Sequence, residues 1–187
     1  LGFAEQTNRI FTFEEIGYRF FATASRVYRK DAMENPPDWY YKTDSGDLVG
    51  YLLLMSKGYG FYMSDVMCAY RVGVPGSSND RFKKMPIQEK ERYYRDRIYI
   101  FKDFDAYTKQ KFACQVQKNI LNLEGARISV YPQLGSRIKE WRELETGINF
   151  PMVSKTYLLK RWLSAHFPMI YKLLAKMRGS IVSVRKN

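Results

Sequence analysis

The chain is short of histidine, of cysteine and, toward its C-terminus, of acid. It has 187 residues with one histidine and two cysteines. The histidine, His166, has no acidic or cysteine neighbours in the sequence and reads as a surface residue rather than a metal ligand. Cys68 and Cys114 show neither CxxC nor zinc-site spacing. That excludes a disulfide scaffold and points to a reducing, cytoplasmic setting. No apolar run reaches the roughly 20 residues that cross a bilayer, and no signal peptide is visible. RRM, KH, zinc-finger and helix-turn-helix signatures are also lacking, which argues against a nucleic-acid binder. From Thr146 to Asn187 there are eight Lys and Arg residues and no Asp or Glu.

The residues that are abundant indicate a folded chain. Aromatic residues make up 16% and charged residues 27%, against the composition of disorder. A chain of this length buries one real core. The formal net charge of +12 is unevenly distributed. Residues 1–84 carry 11 bases and 10 acids, and residues 85–187 carry 20 and 9. This divides the chain into an enzyme-like part, 1–84, and a basic extension, 85–187, that meets an anionic surface.

Local patterning follows the same division. A short extended piece and then a helix start or loop fit residues 8–16. Aromatic and β-branched residues over 18–28 predict a strand in a sheet core. Arg29-Lys30-Asp31 turn the chain, and Pro36-Pro37 mark a loop. Leu48, Tyr51, Leu52 and Met55 follow helical spacing, with Ser45 as N-cap and Gly58 as terminator. Asp47 then lies in the first turn, at the positive end of the helix dipole. Residues 60–71 predict a strand, a turn at Ser64-Asp65 and a second strand ending at Tyr70-Arg71. Beyond Lys84 the pattern is helical. Ile87, Tyr94, Ile98, Phe101 and Phe104 mark one helix, and Phe112, Val116, Ile120 and Leu123 a second, closed by Gly125. Residues 136–146 predict a third helix, and Gly147 to Pro151 a linker.

One stretch carries a family resemblance. Trp39 follows two prolines. Gly46-Asp47 precede an apolar helix, and Ser56-Lys57-Gly58 end it. An apolar strand, Met67, Tyr70-Arg71 and Gly76-Ser77 come next in order. This order and spacing resemble the second half of the catalytic domain in family 2 glycosyltransferases, and residues 21–33 resemble the strand and turn that precede the family's acceptor carboxylate. The resemblance covers residues 1–84. It implies an α/β fold: the C-terminal half of a GT-A-like domain, here followed by a mostly helical extension. It also implies an inverting glycosyltransferase that moves a sugar from a nucleotide-sugar donor to a glycan or lipid-linked acceptor in polysaccharide or glycoconjugate synthesis. Asp47 matches the family's catalytic base. Arg71 and Tyr70 match positions near the donor diphosphate, Gly76-Ser77 a flap over the donor, and Trp39 a substrate-binding aromatic. The family uses a divalent metal, Mn or Mg. Two departures stand out. Val72-Gly73-Val74 follow Arg71 where relatives often carry a histidine. Residues 1–35 hold neither a βαβ nucleotide half nor an Asp-x-Asp metal motif, and Asp103-Phe104-Asp105 sits inside an amphipathic helix. The metal ligands are therefore expected outside this chain, which begins at Leu1 and reads as an enzyme segment inactive alone.

The tail from Ser154 to about Arg178 supports two readings. Tyr157, Leu158, Leu159, Trp162, Leu163 and Phe167 form one apolar set, with Met169, Ile170, Leu173, Leu174 and Met177 as another beyond Pro168. Cations lie between them, the composition of an interfacial helix on the anionic inner face of a membrane. The same face could instead dock on the rest of the enzyme. A non-catalytic membrane-surface or scaffold module is the alternative function, and a nucleic-acid binder, suited by the +11 charge and interleaved Tyr and Trp of residues 85–187, is the weaker one.

Overall fold

The computed structural model describes residues 7–18, 21, 23–43, 45–67, 69, 71, 73–147 and 152–171. Two short strands, β1 (Arg9–Phe11) and β2 (Gly60–Tyr62), pair antiparallel with Ile10 opposite Phe61. All other regular structure among the described residues is helical: α1 (Phe13–Ile16), α2 (Gly46–Lys57), α3 (Ser78–Lys84), α4 (Ile87–Tyr107), α5 (Ala113–Ser129), α6 (Leu134–Gly147) and α7 (Lys155–His166), with 3-10 turns at 23–25, 30–33 and 38–41.

This overturns the expected α/β, GT-A-like half-domain. The described residues contain one two-stranded ribbon and are otherwise mostly helical. The strand expected over 18–28 is absent among the described residues of that stretch. Thr23–Ser25 form a 3-10 turn, and Tyr18 and Phe21 pack their rings against Tyr51 of α2 at 5.4 and 6.0 Å. The aromatic content there reflects burial against a helix, not a pleated surface. No second strand follows β2 among the described residues either. Val66 and Met67 are exposed and unpaired, and Cys68, Tyr70 and Val72 lie outside the described residues.

Helix α2 forms where the sequence places it, with Ser45 as N-cap and Gly58 as C-cap. It is buried on more than one face: Leu48, Val49, Tyr51, Leu52, Leu53 and Met55 are all inaccessible. A helix apolar around its circumference belongs at the centre of a core. Around it pack Phe11, Phe13, Trp39, Phe101, Phe104, Phe112 and Val116. The core therefore joins residues from both sides of position 84. Phe13 meets Phe104 and Phe112 edge-on at 5.4 and 5.1 Å, and the Tyr51 hydroxyl donates to the Gly17 carbonyl at 2.8 Å.

Helices α4 and α5 form a helical hairpin through a tight turn in which Lys109 and Gln110 adopt positive φ of 50° and 62°. Pro86 stands just before α4 as its N-cap, and Asp103-Phe104-Asp105 lies within it, with Phe104 in the core. Helix α5 does not stop at Gly125, as the pattern predicted. It runs four residues further to Ser129. Gly125 is buried where α7 crosses, with the Arg161 carbonyl 3.9 Å from where a Cβ would stand. Gly125 lies inside the helix, where a methyl group would make only ordinary contact with α7, and is not a C-cap.

A second core of Leu121, Ile128, Trp141, Leu144, Val153 and Ala165 holds α5, α6 and α7 together, with Tyr157, Leu158 and Trp162 against it. His166 is here too. Its expected surface position is corrected by an exposure of 2%. Its ring stacks on Trp162 at 4.6 Å, Nδ1 donates to the Trp162 carbonyl at 2.8 Å, and Arg137 Nη1 donates to its carbonyl at 3.1 Å. An aromatic cage fills the place that solvent was expected to take.

A buried ion cluster ties the helices further. Arg127 Nε donates to Glu124 at 2.7 Å, and Nη1 donates to Glu140 at 2.8 Å and to Glu91 at 3.0 Å. Burial works against the Arg127 charge, but Glu140 and Glu124 overcome it and raise its pKa. Burial alone would raise Glu91. The Tyr131 hydroxyl, Arg95 and Arg127 outweigh it and hold its carboxyl below the usual value.

Candidate functional site

The start of α2 and the turns before it enclose a recess of about 110 Å³. Thr23, Arg26, Tyr28, Met33, Tyr40, Gly46, Asp47, Gly50 and Leu54 line it. The wall is made by folding residues 23–33 back over α2. Arg26 Nη1 donates to the Asp47 carbonyl at 2.8 Å, and Nη2 donates to Thr23 Oγ1 at 3.0 Å. Lys57, at the other end of α2, donates to the Ala32 carbonyl at 2.8 Å. One arginine and one lysine thus clamp the turns at both ends of the helix.

Asp47 stands in the first turn of α2, and its side chain is exposed. Oδ1 accepts from the Leu48 N–H at 2.9 Å. Its second oxygen has no hydrogen bond among the described residues. The phenol of Tyr18 is pushed up, first by burial and then by the charge of Asp47, so the carboxylate's field reaches the aromatic layer beneath. Arg26 Nε is buried and unpartnered among the described residues. The recess therefore combines an accessible carboxylate, a guanidinium, a hydroxyl and two tyrosine rings. It is smaller than the roughly 300 Å³ that encloses a drug-sized ligand.

The other candidate residues lie elsewhere. Trp39 is 8% exposed and packs its ring against Phe104 and Tyr107 at 6.2 and 5.8 Å, within the core. Its Nε1 is buried without a partner among the described residues. Arg71 is exposed in a loop, and Tyr70 lies outside the described residues. Gly76 and Ser77 build the cap of α3. Ser77 Oγ accepts from the Asp80 N–H at 3.3 Å, and the Gly76 N–H donates to Asp80 at 2.9 Å. That backbone bond, with Lys84 beside it, holds the Asp80 carboxyl below its usual value. Gly76 has φ of 74°, a conformation that favours glycine. Of the candidates among the described residues, only Asp47 lines the recess.

Arg26, Thr23, Tyr28 and Tyr40 were not singled out from the sequence. The signal for the first three was present, because they fall within the 21–33 stretch that carries part of the resemblance. Reading that stretch as a buried strand hid them.

No group of three or more His, Cys, Asp or Glu side chains among the described residues could hold a metal ion. These residues do not fit the divalent ion that the resemblance implies. No helix among the described residues is long and apolar enough to cross a membrane. No family model matches this chain, and no curated protein or solved structure matches it either.

Proposed function

We propose that this chain supplies the acceptor side and the catalytic base of an inverting glycosyltransferase. The observation that carries this reading is the position of Asp47: the carboxylate that matches the family's base lines a small recess beside Arg26. The reading does not depend on a GT-A sheet. It rests on the local order of turn, carboxylate and helix.

The chemistry then runs as follows. An acceptor hydroxyl enters the recess, and its proton passes to the free Asp47 oxygen as its own oxygen attacks the anomeric carbon of the donor sugar. The new glycosidic bond forms as the bond to the nucleotide diphosphate breaks. The diphosphate leaves with the electron pair, and attack from the opposite face inverts the anomeric centre. Arg26 holds the Asp47 backbone and the Thr23 side chain, which fixes the base relative to the recess wall. On this reading the groups that bind the nucleotide and the metal lie outside the recess that Asp47 lines.

A transfer assay tests the proposal. Residues 1–187 alone, given UDP- and GDP-sugars with Mn²⁺ or Mg²⁺ and glycan acceptors, give no turnover. The enzyme that joins them to a donor-binding half transfers sugar with inversion. Turnover by residues 1–187 alone, or a product with retained configuration, contradicts it.

A further inference from the structure

We propose that the outer face of α7 and the turn after it form a docking surface for an anionic lipid bilayer. This is independent of glycosyl transfer. The inner side of α7 is already occupied. Tyr157, Leu158, Trp162 and Ala165 pack on α5 and α6, so those residues are not free to enter a membrane. What remains outside is a second apolar set. Leu159 is 63% exposed, Met169 81% and Ile170 51%. The side chain of Arg161 donates to the Tyr171 hydroxyl at 3.3 Å, which pins residues 168–171 beside the helix. One short segment thus presents three bare apolar side chains with the exposed Lys155 and Lys160.

The charge of this segment identifies the partner. No acid occurs anywhere from Thr146 onward. A protein partner would be met by a mixture of charges, and a nucleic acid by aromatic rings and arginines. Here the exposed apolar groups are aliphatic, and the exposed cations are lysines. Aliphatic side chains between lysines suit insertion at the boundary of headgroups and acyl chains, with the ammonium groups over anionic headgroups.

The test uses the full chain and sedimentation with vesicles at low and physiological salt. One set is equal parts phosphatidylcholine and phosphatidylserine, and the other is phosphatidylcholine alone. The chain pellets with the anionic vesicles, less at higher salt, and does not pellet with the neutral ones. The double variant Lys155→Glu, Lys160→Glu loses affinity by about thirtyfold or more, at roughly fivefold per lysine near such a surface. The double variant Leu159→Ser, Ile170→Ser loses affinity at both salt concentrations, because its contribution is not electrostatic. All four positions are exposed, so circular dichroism and melting temperature stay at their wild-type values. Equal binding to both vesicles, binding to neither, undiminished binding by the lysine variant, or preference for a single-stranded oligonucleotide over anionic vesicles overturns the proposal.

Discussion

The proposed function predicts that replacing Asp47 by Asn lowers kcat for sugar transfer by about 10²–10⁴-fold, the usual cost of losing a positioned general base. The substitution isolates the chemistry. Asn keeps the size of Asp and an oxygen that can accept from the Leu48 N–H, the bond that Oδ1 makes now. The start of α2 is therefore preserved. The lost interaction with the helix dipole is worth only about 0.3–1 kcal/mol at an exposed position. The buried side of α2, from Leu48 to Met55, carries the fold and is untouched. KM for the acceptor changes little, since the hydroxyl still has Arg26 and Thr23 nearby. Donor binding also changes little, because the base meets the acceptor. Measuring kcat and both KM values in the assembled enzyme separates these effects. Near-normal kcat in Asp47→Asn rejects the assignment.

The largest effect on stability is expected at Arg127. Arg127→Met removes the cation that three carboxylates share and leaves Glu91, Glu124 and Glu140 facing one another across α4, α5 and α6. Removing one partner of a buried ion pair costs about 3–5 kcal/mol when the remaining charge is left uncompensated, and here Glu124 and Glu140 lose their shared cation while Glu91 keeps Arg95. The pH dependence gives a second signature. In the wild type the folded pKa of Glu91 lies below its ordinary value of 4.5. Its contribution is therefore present above pH 4.5 and is lost as pH falls through the depressed value. In Arg127→Met the carboxylates repel, their folded pKa values rise, and mild acid stabilises the variant. At the alkaline end the Tyr131 phenol is pushed up to about 12, first by burial and then by Glu91. Its contribution holds below the ordinary value of 10.0 and fades as pH rises toward 12. Urea unfolding of wild type and variant across pH measures both effects. An unchanged midpoint in the variant, or an unchanged acid slope, contradicts this account of the cluster.

Where a structural feature rests on neighbours in the chain, it was legible in the sequence. Helix α2 is the clearest case. The Ser45 and Gly58 boundaries and the spacing of Leu48, Tyr51, Leu52 and Met55 are local, and the helix forms between them. The placement of Asp47 in its first turn follows from the same residues. The strand expected over 18–28 failed because aromatic and β-branched residues report burial, and burial can be satisfied by a helix as well as by a sheet. Tyr18 and Phe21 use their rings on Tyr51, while Val27 in the same stretch is 96% exposed. Gly125 shows a related ambiguity. Glycine after an apolar run fits both a helix end and a helix interior, and α5 continues through Gly125 to Ser129. His166 read as a surface residue because its burial depends on Trp141, which meets it from another helix across 25 residues of chain, as well as on Trp162 four residues away. The recess was half legible. Asp47 came from the motif, whereas Arg26 reaches it only after the 23–33 turns close over α2, a tertiary event without a local signature.

The claim that matters most is that this recess receives the acceptor. Backbone and methyl NMR of the 187-residue chain, titrated with short oligosaccharides, tests it without a donor or a metal. The predicted result is a set of shifts confined to Thr23, Arg26, Met33, Tyr40, Asp47, Gly50 and Leu54, abolished in Arg26→Ala while the dispersion of the spectrum is retained. Saturating glycan that leaves Arg26 and Asp47 unmoved, or that moves residues of α6 and α7 instead, contradicts it.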